Sequence, residues 1–322
     1  MDSTYLRLSI EDACNLRCRY CRPERDLELG EPDWENHPVL PSDALVELVA
    51  ACQRVRPVRK LRLTGGEPLV RKDVVPLVER LRALLPEAEL CLTSNGVLLA
   101  GLARPLRDAG LDRINLSLDT LDREKFKEIT RRDRLEQVFK TFHGALELGI
   151  PLKVNSVVME DTSDDDIASM VGLARLHDIS LRFIEQMPFS GKNDAASAEE
   201  NVLIRRLERL FPELEEQRAD KVSTARSFKL SGFAGTVGII EGRSRKFCST
   251  CNKVRVTPQG MLKACLYDKG VLDLRSLLRD GTLDNDIVAA VRSCLNRRYA
   301  DGHETETSND GSEQPSMATI GG

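Results

Sequence analysis

The sequence predicts an α/β protein built on an incomplete (βα)6 barrel, a partial TIM barrel, followed by a C-terminal extension. Two observations indicate this fold class. Strand-like and helix-like segments alternate through the first 190 residues and give six strands, and such alternation implies a parallel sheet covered by helices. A standard barrel closes with eight units, so six predict an open barrel. Apolar residues at 41% and charged residues at 30% are typical of a globular chain.

The alternating elements follow one another in a regular order. We predict strands at Tyr5–Ile10, Lys60–Thr64, Glu89–Thr93, Arg113–Leu118, Leu152–Val158 and Ser180–Glu185. We predict helices at Ser42–Val55, Asp73–Leu85, Leu98–Ala109, Arg134–Leu148 and Ser163–His177. Ser42 and Ser163 are the expected N-caps, because a serine hydroxyl can accept a hydrogen bond from a backbone N–H of the first turn.

The pattern changes after Pro188. We predict a helix, two short strands and a second helix at Val202–Phe211, Phe228–Leu230, Thr236–Ile240 and Leu272–Asn296. The end of the chain is polar and poor in apolar residues, as in a flexible tail. We therefore expect a barrel at residues 1–190, a C-terminal region at 191–299 that packs on it, and a tail at 300–322.

The predicted strands are polar on one face, whereas parallel strands buried on both faces should be apolar on both. Leucine and isoleucine alternate with polar residues, which are Arg7, Ser9, Lys60, Arg62, Thr64, Cys91, Thr93, Asn115, Ser117 and Asp119. In the fifth strand Lys153 and Asn155 share a face. The apolar face must meet the helices, so the polar face lines the interior. An unpartnered arginine there would cost several kcal/mol, and we therefore expect an anionic ligand inside the barrel.

Charge and hydropathy exclude other classes of protein. The net charge is −4, which argues against a nucleic-acid-binding surface spread over the whole protein. No apolar run approaches the ~18 residues that span a bilayer, and the first ten residues do not resemble a secretory signal. We expect a cytoplasmic protein that binds neither nucleic acid nor membranes. The sequence leaves a homodimer open.

Three of the nine cysteines form a tight group directly after the first predicted strand. Cys14, Cys18 and Cys21 have the spacing C-x3-C-x2-C, on a loop at the C-terminal end of a strand, where α/β proteins place their sites. A cubane iron–sulfur cluster held by three thiolates leaves one iron open to a ligand. Zinc would need a fourth, distant ligand, and stays as the alternative.

A second group of three cysteines lies in the C-terminal region. Cys248, Cys251 and Cys265 have the spacing C-x2-C-x13-C, which alone is ambiguous between zinc and iron–sulfur. Cys294 or His303 could complete a zinc site.

Several motifs together resemble the radical SAM family. C-x3-C-x2-C with Tyr20 before the third cysteine resembles its cluster motif, and Gly65-Gly66-Glu67-Pro68 after the second strand resembles its second motif. The sequence around the second cysteine group and the terminal Gly321-Gly322 resemble one subfamily, the GTP 3',8-cyclases of molybdenum cofactor biosynthesis. The resemblance runs from Leu6 to Gly322.

This resemblance implies ligands and roles for individual residues. Two [4Fe–4S] clusters would be held by Cys14, Cys18 and Cys21 and by Cys248, Cys251 and Cys265. The positions that match contacts to S-adenosylmethionine are Tyr20, Gly66, Ser117 and Met187. The positions that match GTP contacts are Arg7, Arg62, Thr93, Lys153, Lys253 and Arg255. Arg182, Gly321 and Gly322 match residues that act in the site. Lys253 departs from the usual arginine and lacks its planar fork.

The resemblance also implies the reaction and its partners. Reductive cleavage of S-adenosylmethionine would give a 5'-deoxyadenosyl radical that abstracts the ribose 3' hydrogen of GTP. The product would be (8S)-3',8-cyclo-7,8-dihydroguanosine 5'-triphosphate, and the reaction would be the first step of molybdopterin biosynthesis. The expected partners are an electron donor of flavodoxin or ferredoxin type and cyclic pyranopterin monophosphate synthase as the next enzyme. The alternatives are a radical SAM peptide-modifying enzyme with an auxiliary cluster and a non-enzymatic metal-binding scaffold.

Overall fold

The fold is given by a computed structural model. It describes residues 3–21, 39–186, 202–217, 225–241, 251–266, 270, 272–274, 288–289 and 291–293. The predictions for Met187, Cys248, Gly321 and Gly322 lie outside the described residues, as does most of the predicted helix Leu272–Asn296.

The six predicted strands form one parallel sheet, which confirms the α/β class. In chain order they are β1 (Thr4–Glu11), β2 (Val58–Gly65), β3 (Glu89–Ser94), β4 (Arg113–Ser117), β5 (Leu152–Val158) and β6 (Ser180–Glu185). Each strand pairs in parallel with the next one along the chain.

Helices alternate with these strands along the chain, as in a βα barrel. They are α1 (Ser42–Val55), α2 (Val74–Leu84), α3 (Ala103–Asp108), α4 (Arg123–Thr130), α5 (Leu135–Glu147) and α6 (Asp164–Leu176), with 3-10 turns at Pro68–Val70 and Leu99–Gly101. The predicted helix Leu98–Ala109 is divided between a 3-10 turn and α3. The sequence did not predict α4, whose eight residues bury only Phe126, Ile129 and Thr130.

The C-terminal region extends the same sheet at both sides. It contributes α7 (Val202–Leu210), β7 (Glu215–Glu216), β8 (Arg226–Lys229), β9 (Thr236–Ile240), β10 (Lys253–Val256), β11 (Met261–Lys263) and β12 (Leu272–Asp273). Strand β9 pairs in parallel with β6, and β10 pairs in parallel with β1. The order is β12-β11-β10-β1-β2-β3-β4-β5-β6-β9-β8-β7, so among the described residues the barrel is open and its outer parallel strands come from the extension.

The prediction of helix at Leu272 and Asp273 is wrong. These two residues form β12, which pairs antiparallel with β11 through Leu262 and Leu272. The physical reason lies just before them, where Gly270 has a φ of 100°. A glycine in the left-handed region is well suited to a reversal of the chain. Gly270 precedes β12, which runs back antiparallel to β11.

The apolar face of the parallel strands packs against the helices, as predicted. Leu6, Leu8 and Leu116 are fully buried and belong to one core with Leu77 of α2 and Phe142 of α5. Side chains alternate across a strand, so the polar residues of the same strands lie on the opposite face. Within the described part of the chain, no helix is long and apolar enough to cross a membrane.

One of the two predicted helix caps is confirmed. Ser163 caps α6 in a reciprocal capping box with Asp166. Ser42 does not cap α1, because the N-cap position is Pro41. The Ser42 hydroxyl instead donates to Asp73 at 2.6 Å, a partner that the local sequence could not reveal.

We expect Arg82→Ala to lower the free energy of unfolding by about 2–4 kcal/mol, because several charged hydrogen bonds to mostly part-buried carbonyls are lost together. The Arg82 guanidinium donates to the carbonyls of Leu85, Pro86, Ala88 and Gly110 at 2.8–3.2 Å. It thereby joins the end of α2 to the turn before β4. Urea unfolding followed by circular dichroism measures the effect.

The matched control is Arg80→Ala on the same helix. Arg80 pairs with Asp43, whose side chain is 90% exposed, and exposed pairs contribute little. Equal losses in the two variants would contradict the role assigned to Arg82.

Candidate active site

Three arginines form a row across the interior face of three neighbouring strands. Arg7 of β1 lies in register with Arg255 of β10 and with Arg62 of β2. Arg62 and Arg255 are only 8% and 7% exposed. Burial, together with the charges of Arg255 and Arg62, holds the pKa of Arg7 well below its usual value. The row is therefore a buried concentration of positive charge.

A second group of cations lies beside this row on β4, β5 and β6. Burial, then the charges of Arg182 and Arg113, lowers the pKa of Lys153 to about 7. Burial, then the charges of Arg62 and Arg113, lowers the pKa of Arg182 to about 10. In both groups burial is the larger cause, and the neighbouring cations add to it.

Glu89 offsets part of this charge at the N-terminal end of the strands. Its carboxylate forms ion pairs with Lys60, at 2.8 Å, and with Arg113. Glu89 lies level with Lys60, whereas the row of Arg7, Arg62 and Arg255 lies two residues further along the strands. The sequence showed Glu89 only as the start of a strand, because its two partners come from neighbouring strands.

Several buried polar atoms on the interior face have no hydrogen-bond partner among the described residues. They are Tyr5 Oη, Arg7 Nε, Ser9 Oγ, Asn155 Oδ1 and Arg182 Nε. Buried polar atoms are normally hydrogen-bonded. Donors predominate in a basic interior, so these residues fit a polar, anionic ligand, as the strand pattern predicted.

The predicted GTP residues in the described chain share this interior face. Arg7, Arg62 and Arg255 form the row, and Thr93 and Lys153 are each in register with Asn115 of β4. Asn115 is 1% exposed. With its amide turned so that oxygen meets the guanidinium, this oxygen lies 2.7–3.1 Å from the three nitrogens of Arg62. Asn115 is thus a neutral partner for one arginine of the row.

The first cysteine group lies at the C-terminal edge of the sheet, where the glycines after β2 support it. The N–H of Gly66 donates to Glu11 at 2.8 Å, and that of Glu67 donates to Ala13 at 2.9 Å. A Cβ on Gly65 would lie 2.0 Å from the Glu11 carbonyl oxygen, and Gly65 has a φ of +151°. Only glycine allows this approach, so the Gly-Gly pair holds the start of the cysteine loop against β2.

Glu67 anchors the same edge from within. Its side chain is fully buried and accepts hydrogen bonds from Leu69 N at 3.1 Å, Ser94 Oγ at 2.9 Å and Asn95 N at 2.8 Å. Burial raises its pKa to about 7. Sequence reasoning missed this connection between β2 and β3, although Asn95-Gly96 after β3 is a recognisable turn signal.

The three thiols of the first group fit a cubane cluster. Cys14, Cys18 and Cys21 are partly buried and outside disulfides. Burial, then the charge of Cys21, raises the pKa of the Cys18 thiol, so a thiolate there needs nearby positive charge, such as iron supplies. No three His, Cys, Asp or Glu side chains in the described ranges converge closely enough for a single metal ion. The thiolates of a cubane bind separate irons and need not converge in this way.

The described residues among those predicted to bind S-adenosylmethionine, Tyr20, Gly66 and Ser117, lie in this loop or at the same edge of the sheet. Tyr20 donates to Asp119 Oδ2 at 2.9 Å, while Asp119 Oδ1 accepts from Val157 N at 2.8 Å. Burial raises the pKa of Asp119 to about 6. Gly66 follows β2 and Ser117 ends β4, so carboxyl ends of parallel strands bring these residues together.

The two described cysteines of the second group, Cys251 and Cys265, lie at the opposite edge of the sheet. Cys251 precedes β10 by two residues, and Cys265 follows β11 by two residues. Strands β10 and β11 pair antiparallel, so both cysteines lie at one end of this hairpin. Lys253 is in register with Tyr5 near the start of β1. The six residues from Tyr5 to Glu11 span about 20 Å. The arginine row lies between the first cysteine group at one end of this span and Cys251 and Cys265 at the other.

This open βα barrel, with a three-cysteine loop at the carboxyl end of its first strand, defines a radical SAM protein. The sequence profile of the Radical SAM superfamily matches residues 8–174. The profile of Molybdenum Cofactor Synthesis C matches residues 179–304. With more than half of the chain matched by the first profile, the class is shown by sequence as well as by fold.

Curated relatives narrow the class to one family. A GTP 3',8-cyclase of Clostridium perfringens is 34% identical over 99% of this chain and 97% of its own length. A GTP 3',8-cyclase of Heliobacterium modesticaldum is 40% identical over 88% of this chain and 87% of its own. The chain belongs to the GTP 3',8-cyclase family of radical SAM proteins.

Other relatives are longer. Molybdenum cofactor biosynthesis protein 1 of Bos taurus is 39% identical over 92% of this chain, which spans only 46% of that protein. The chain therefore spans about half the length of the animal relatives that it matches.

Solved structures show the fold alone. SuiB of Streptococcus suis has a TM-score of 0.62 at 14% identity and covers 91% of this chain and 68% of its own. Methylornithine synthase has a TM-score of 0.52 at 16% identity and covers 90% of this chain and 86% of its own. Both are consistent with the predicted fold class.

Proposed function

We propose that this chain is a GTP 3',8-cyclase that converts GTP to (8S)-3',8-cyclo-7,8-dihydroguanosine 5'-triphosphate with S-adenosylmethionine as co-substrate. One observation carries the proposal beyond family membership. A row of three arginines, of which Arg62 and Arg255 are buried, lies between the first cysteine group at one end of the strands and Cys251 and Cys265 at the other. A ligand held there by its phosphates can face one cysteine group on each side.

The chain offers residues for each bound group. Cys14, Cys18 and Cys21 would hold one [4Fe–4S] cluster, and Cys251 and Cys265, with Cys248, the other. Tyr20, Gly66 and Ser117, with Met187, would hold S-adenosylmethionine beside the first. When bound and reduced, the first cluster would supply the electron that cleaves S-adenosylmethionine to methionine and a 5'-deoxyadenosyl radical. That radical would take the 3' hydrogen of GTP, the 3' carbon would then bond to C8 of the guanine, and a second electron from the donor with a proton would complete the dihydro product.

The interior cations bind and orient the nucleotide. Arg7, Arg62 and Arg255 present positive charge that the triphosphate neutralises, and guanidinium groups suit phosphate because their donors match its geometry. Lys153 and Thr93 lie one pleat closer to the first cysteine group. Lys253 lies one pleat closer to the second. The phosphates would thus fix the distance between the ribose and the first group, where a shift of about 1 Å can cost 10²-fold in rate.

Arg182 is proposed to act within the site from β6. It lies in register with Asn155 of β5 and Gly238 of β9. A Cβ on Gly238 would lie 3.2 Å from the Arg226 carbonyl oxygen and 3.5 Å from Arg182 Cγ, so a side chain at this position would contact Arg182. The terminal Gly321 and Gly322 are proposed to enter the same site. Their lack of side chains suits close approach to a ligand.

Partners follow from the same proposal. A low-potential donor of flavodoxin or ferredoxin type would reduce the first cluster, and cyclic pyranopterin monophosphate synthase would take the product. Iron–sulfur clusters on clustered thiolates suit a reducing compartment, which supports a cytoplasmic location.

A single anaerobic turnover tests the function. The chain is reconstituted with iron and sulfide and given S-adenosylmethionine, a low-potential reductant and GTP, and products are followed by mass spectrometry. We expect GTP-dependent 5'-deoxyadenosine together with a cyclised nucleotide of unchanged mass. Deoxyadenosine without change in GTP would favour a peptide-modifying enzyme. Bound zinc and no response to S-adenosylmethionine would favour a scaffold.

We expect GTP binding to weaken as the pH rises above about 7. In the free protein Lys153 has a pKa of about 7, lowered by burial and by Arg182, Arg113 and Lys60, with Glu89 opposing. A bound polyanion favours the charged lysine and raises this pKa. Below pH 7 the lysine is charged in both states, whereas at pH 8 binding must take up a proton.

Calorimetry at pH 8 in two buffers of different ionisation enthalpy measures this uptake. Lys153→Met should reduce the uptake by up to about one proton, while Lys140→Met, at an exposed position of α5, should leave it unchanged. Equal proton uptake by wild type and Lys153→Met would show that Lys153 does not titrate with binding.

A further inference from the structure

Asn95 directs its side-chain N–H toward the first cysteine group. It follows β3 directly, at the same edge of the sheet as the cysteine loop. Its Nδ2 donates to Cys14 Sγ at 3.7 Å and to Asn15 Oδ1 at 2.8 Å. Asn95 is therefore the side chain that reaches from β3 to a proposed cluster ligand.

The orientation of this amide is fixed by the backbone. Asn95 Oδ1 accepts from Val97 N at 3.1 Å, so the oxygen side of the amide is engaged and Nδ2 must face the cysteine loop. This is a local turn of the kind asparagine forms with the N–H two residues on. Gly96 then has a φ of +80°, which a glycine tolerates.

The buried Glu67 carboxylate fixes the backbone position of Asn95. The Glu67 carboxylate accepts from Asn95 N at 2.8 Å and from Ser94 Oγ at 2.9 Å. Ser94 Oγ in turn accepts from Gly96 N at 3.0 Å. Glu67, Ser94 and the turn at Asn95 thus form one buried network that is independent of Cys14 and aims Nδ2 at it.

We propose that Asn95 is a positioning residue that hydrogen-bonds the Cys14 thiolate and raises the reduction potential of the first iron–sulfur cluster. The physical reason is that the reduced cluster carries more negative charge on its sulfurs than the oxidised one. A donor N–H therefore stabilises the reduced form more, and hydrogen bonds to cluster sulfurs are a known means of setting the potential. This inference rests on the part of the proposed function that places an iron–sulfur cluster on Cys14, and not on GTP as substrate.

Two variants remove the donor in different ways. Asn95→Asp keeps the shape and the acceptor for Val97 N but replaces the N–H by a carboxylate oxygen. Asn95→Ser is smaller, can still accept from the backbone, and brings no charge. We expect both to lower the midpoint potential of the first cluster, Asn95→Asp by the larger amount.

The matched control is Asn15→Ala, which alters the other partner of Nδ2. It removes the Asn15 acceptor and leaves the Asn95 N–H to Cys14. We expect no fall in potential. Because Asn15 lies beside Cys14 in the loop, a general disturbance of the loop would affect this variant at least as strongly as Asn95→Ser.

The measurement is a redox titration of the reconstituted full chain, followed by electron paramagnetic resonance. The signal that changes on addition of S-adenosylmethionine identifies the first cluster. Lower potentials in both Asn95 variants and not in Asn15→Ala support the proposal. An unchanged potential in the Asn95 variants, or an equal fall in Asn15→Ala, overturns it.

The titration needs no GTP, so it separates this inference from the proposed substrate. If the potential shifts are observed but GTP is unchanged in turnover, the role of Asn95 is supported and the proposed cyclase function is contradicted. A wild-type chain without a cluster signal sensitive to S-adenosylmethionine would overturn the inference directly.

Discussion

Cys18→Ala abolishes the reductive cleavage of S-adenosylmethionine, with or without GTP. Cys18 is the middle thiol of the first group, and in the proposed cluster each of the three thiolates would bind its own iron, so the two that remain would not retain it. We expect the iron content of the reconstituted chain to fall from about eight toward about four per molecule, since each cubane contains four irons. Iron analysis and 5'-deoxyadenosine formation measure the two effects.

Cys52→Ala is the control for loss of a buried cysteine. Cys52 is 2% exposed in α1 and belongs to the apolar core. Its truncation should cost about 1 kcal/mol of stability and leave iron content and deoxyadenosine formation unchanged. Full activity in Cys18→Ala would remove the first cysteine group from the proposed site.

Arg7→Met weakens GTP binding by about 100-fold and at the same time stabilises the free protein. Arg7 lies between Arg62 and Arg255 in the interior row. It is therefore at the centre of the positive charge that a bound triphosphate would meet. Loss of one buried charged contact costs about 3 kcal/mol, which is about 100-fold in affinity.

The gain in stability has the same origin. In the free protein burial, and then the neighbouring Arg255 and Arg62, oppose the charge of Arg7 and lower its pKa. Replacing a buried, poorly compensated charge by an apolar side chain of similar volume is often stabilising by about 1–4 kcal/mol. We expect a higher melting temperature without GTP, and a smaller further rise when GTP is added than in wild type.

The control is Arg59→Met, at an exposed position near the start of β2. Arg59 lies one residue before Lys60 on β2 and is exposed. It should change neither the affinity nor the melting temperature by more than a small amount. A destabilised Arg7→Met variant that binds GTP normally would show that Arg7 is a structural residue and not part of the binding site.

Those features of the fold that depend on local pattern were predictable. The six strands were found with boundaries within two residues of the predicted ones, because their alternation of apolar and polar residues is strong. The same alternation predicted the polar interior, since apolar side chains must meet the helices. The predictions were weaker for α4, which has few apolar residues, and for Leu272–Asp273, where a glycine reverses the chain.

The candidate site was predictable in part, because its residues carry recognisable motifs. Cys14, Cys18 and Cys21 are neighbours in sequence, and the Gly-Gly pair follows β2 in the expected place. The reason for that pair became clear only from the structure, in which Gly65 lies against the Glu11 carbonyl. Glu67 and Asn95 were not predicted as a network, since they are joined across two strands.

The sequence by itself determined the fold class, the basic inner face of the sheet and the cysteine loop after β1, since each depends on residues close together in the chain. Only the tertiary structure decided that β9 and β10 complete the parallel sheet and that Cys251 and Cys265 lie at the edge opposite Cys14. It also decided that Asn95 faces Cys14. The physical reason is that strand order and register arise from pairing between distant segments, and strands of four or five residues have too short a pattern to specify their partners.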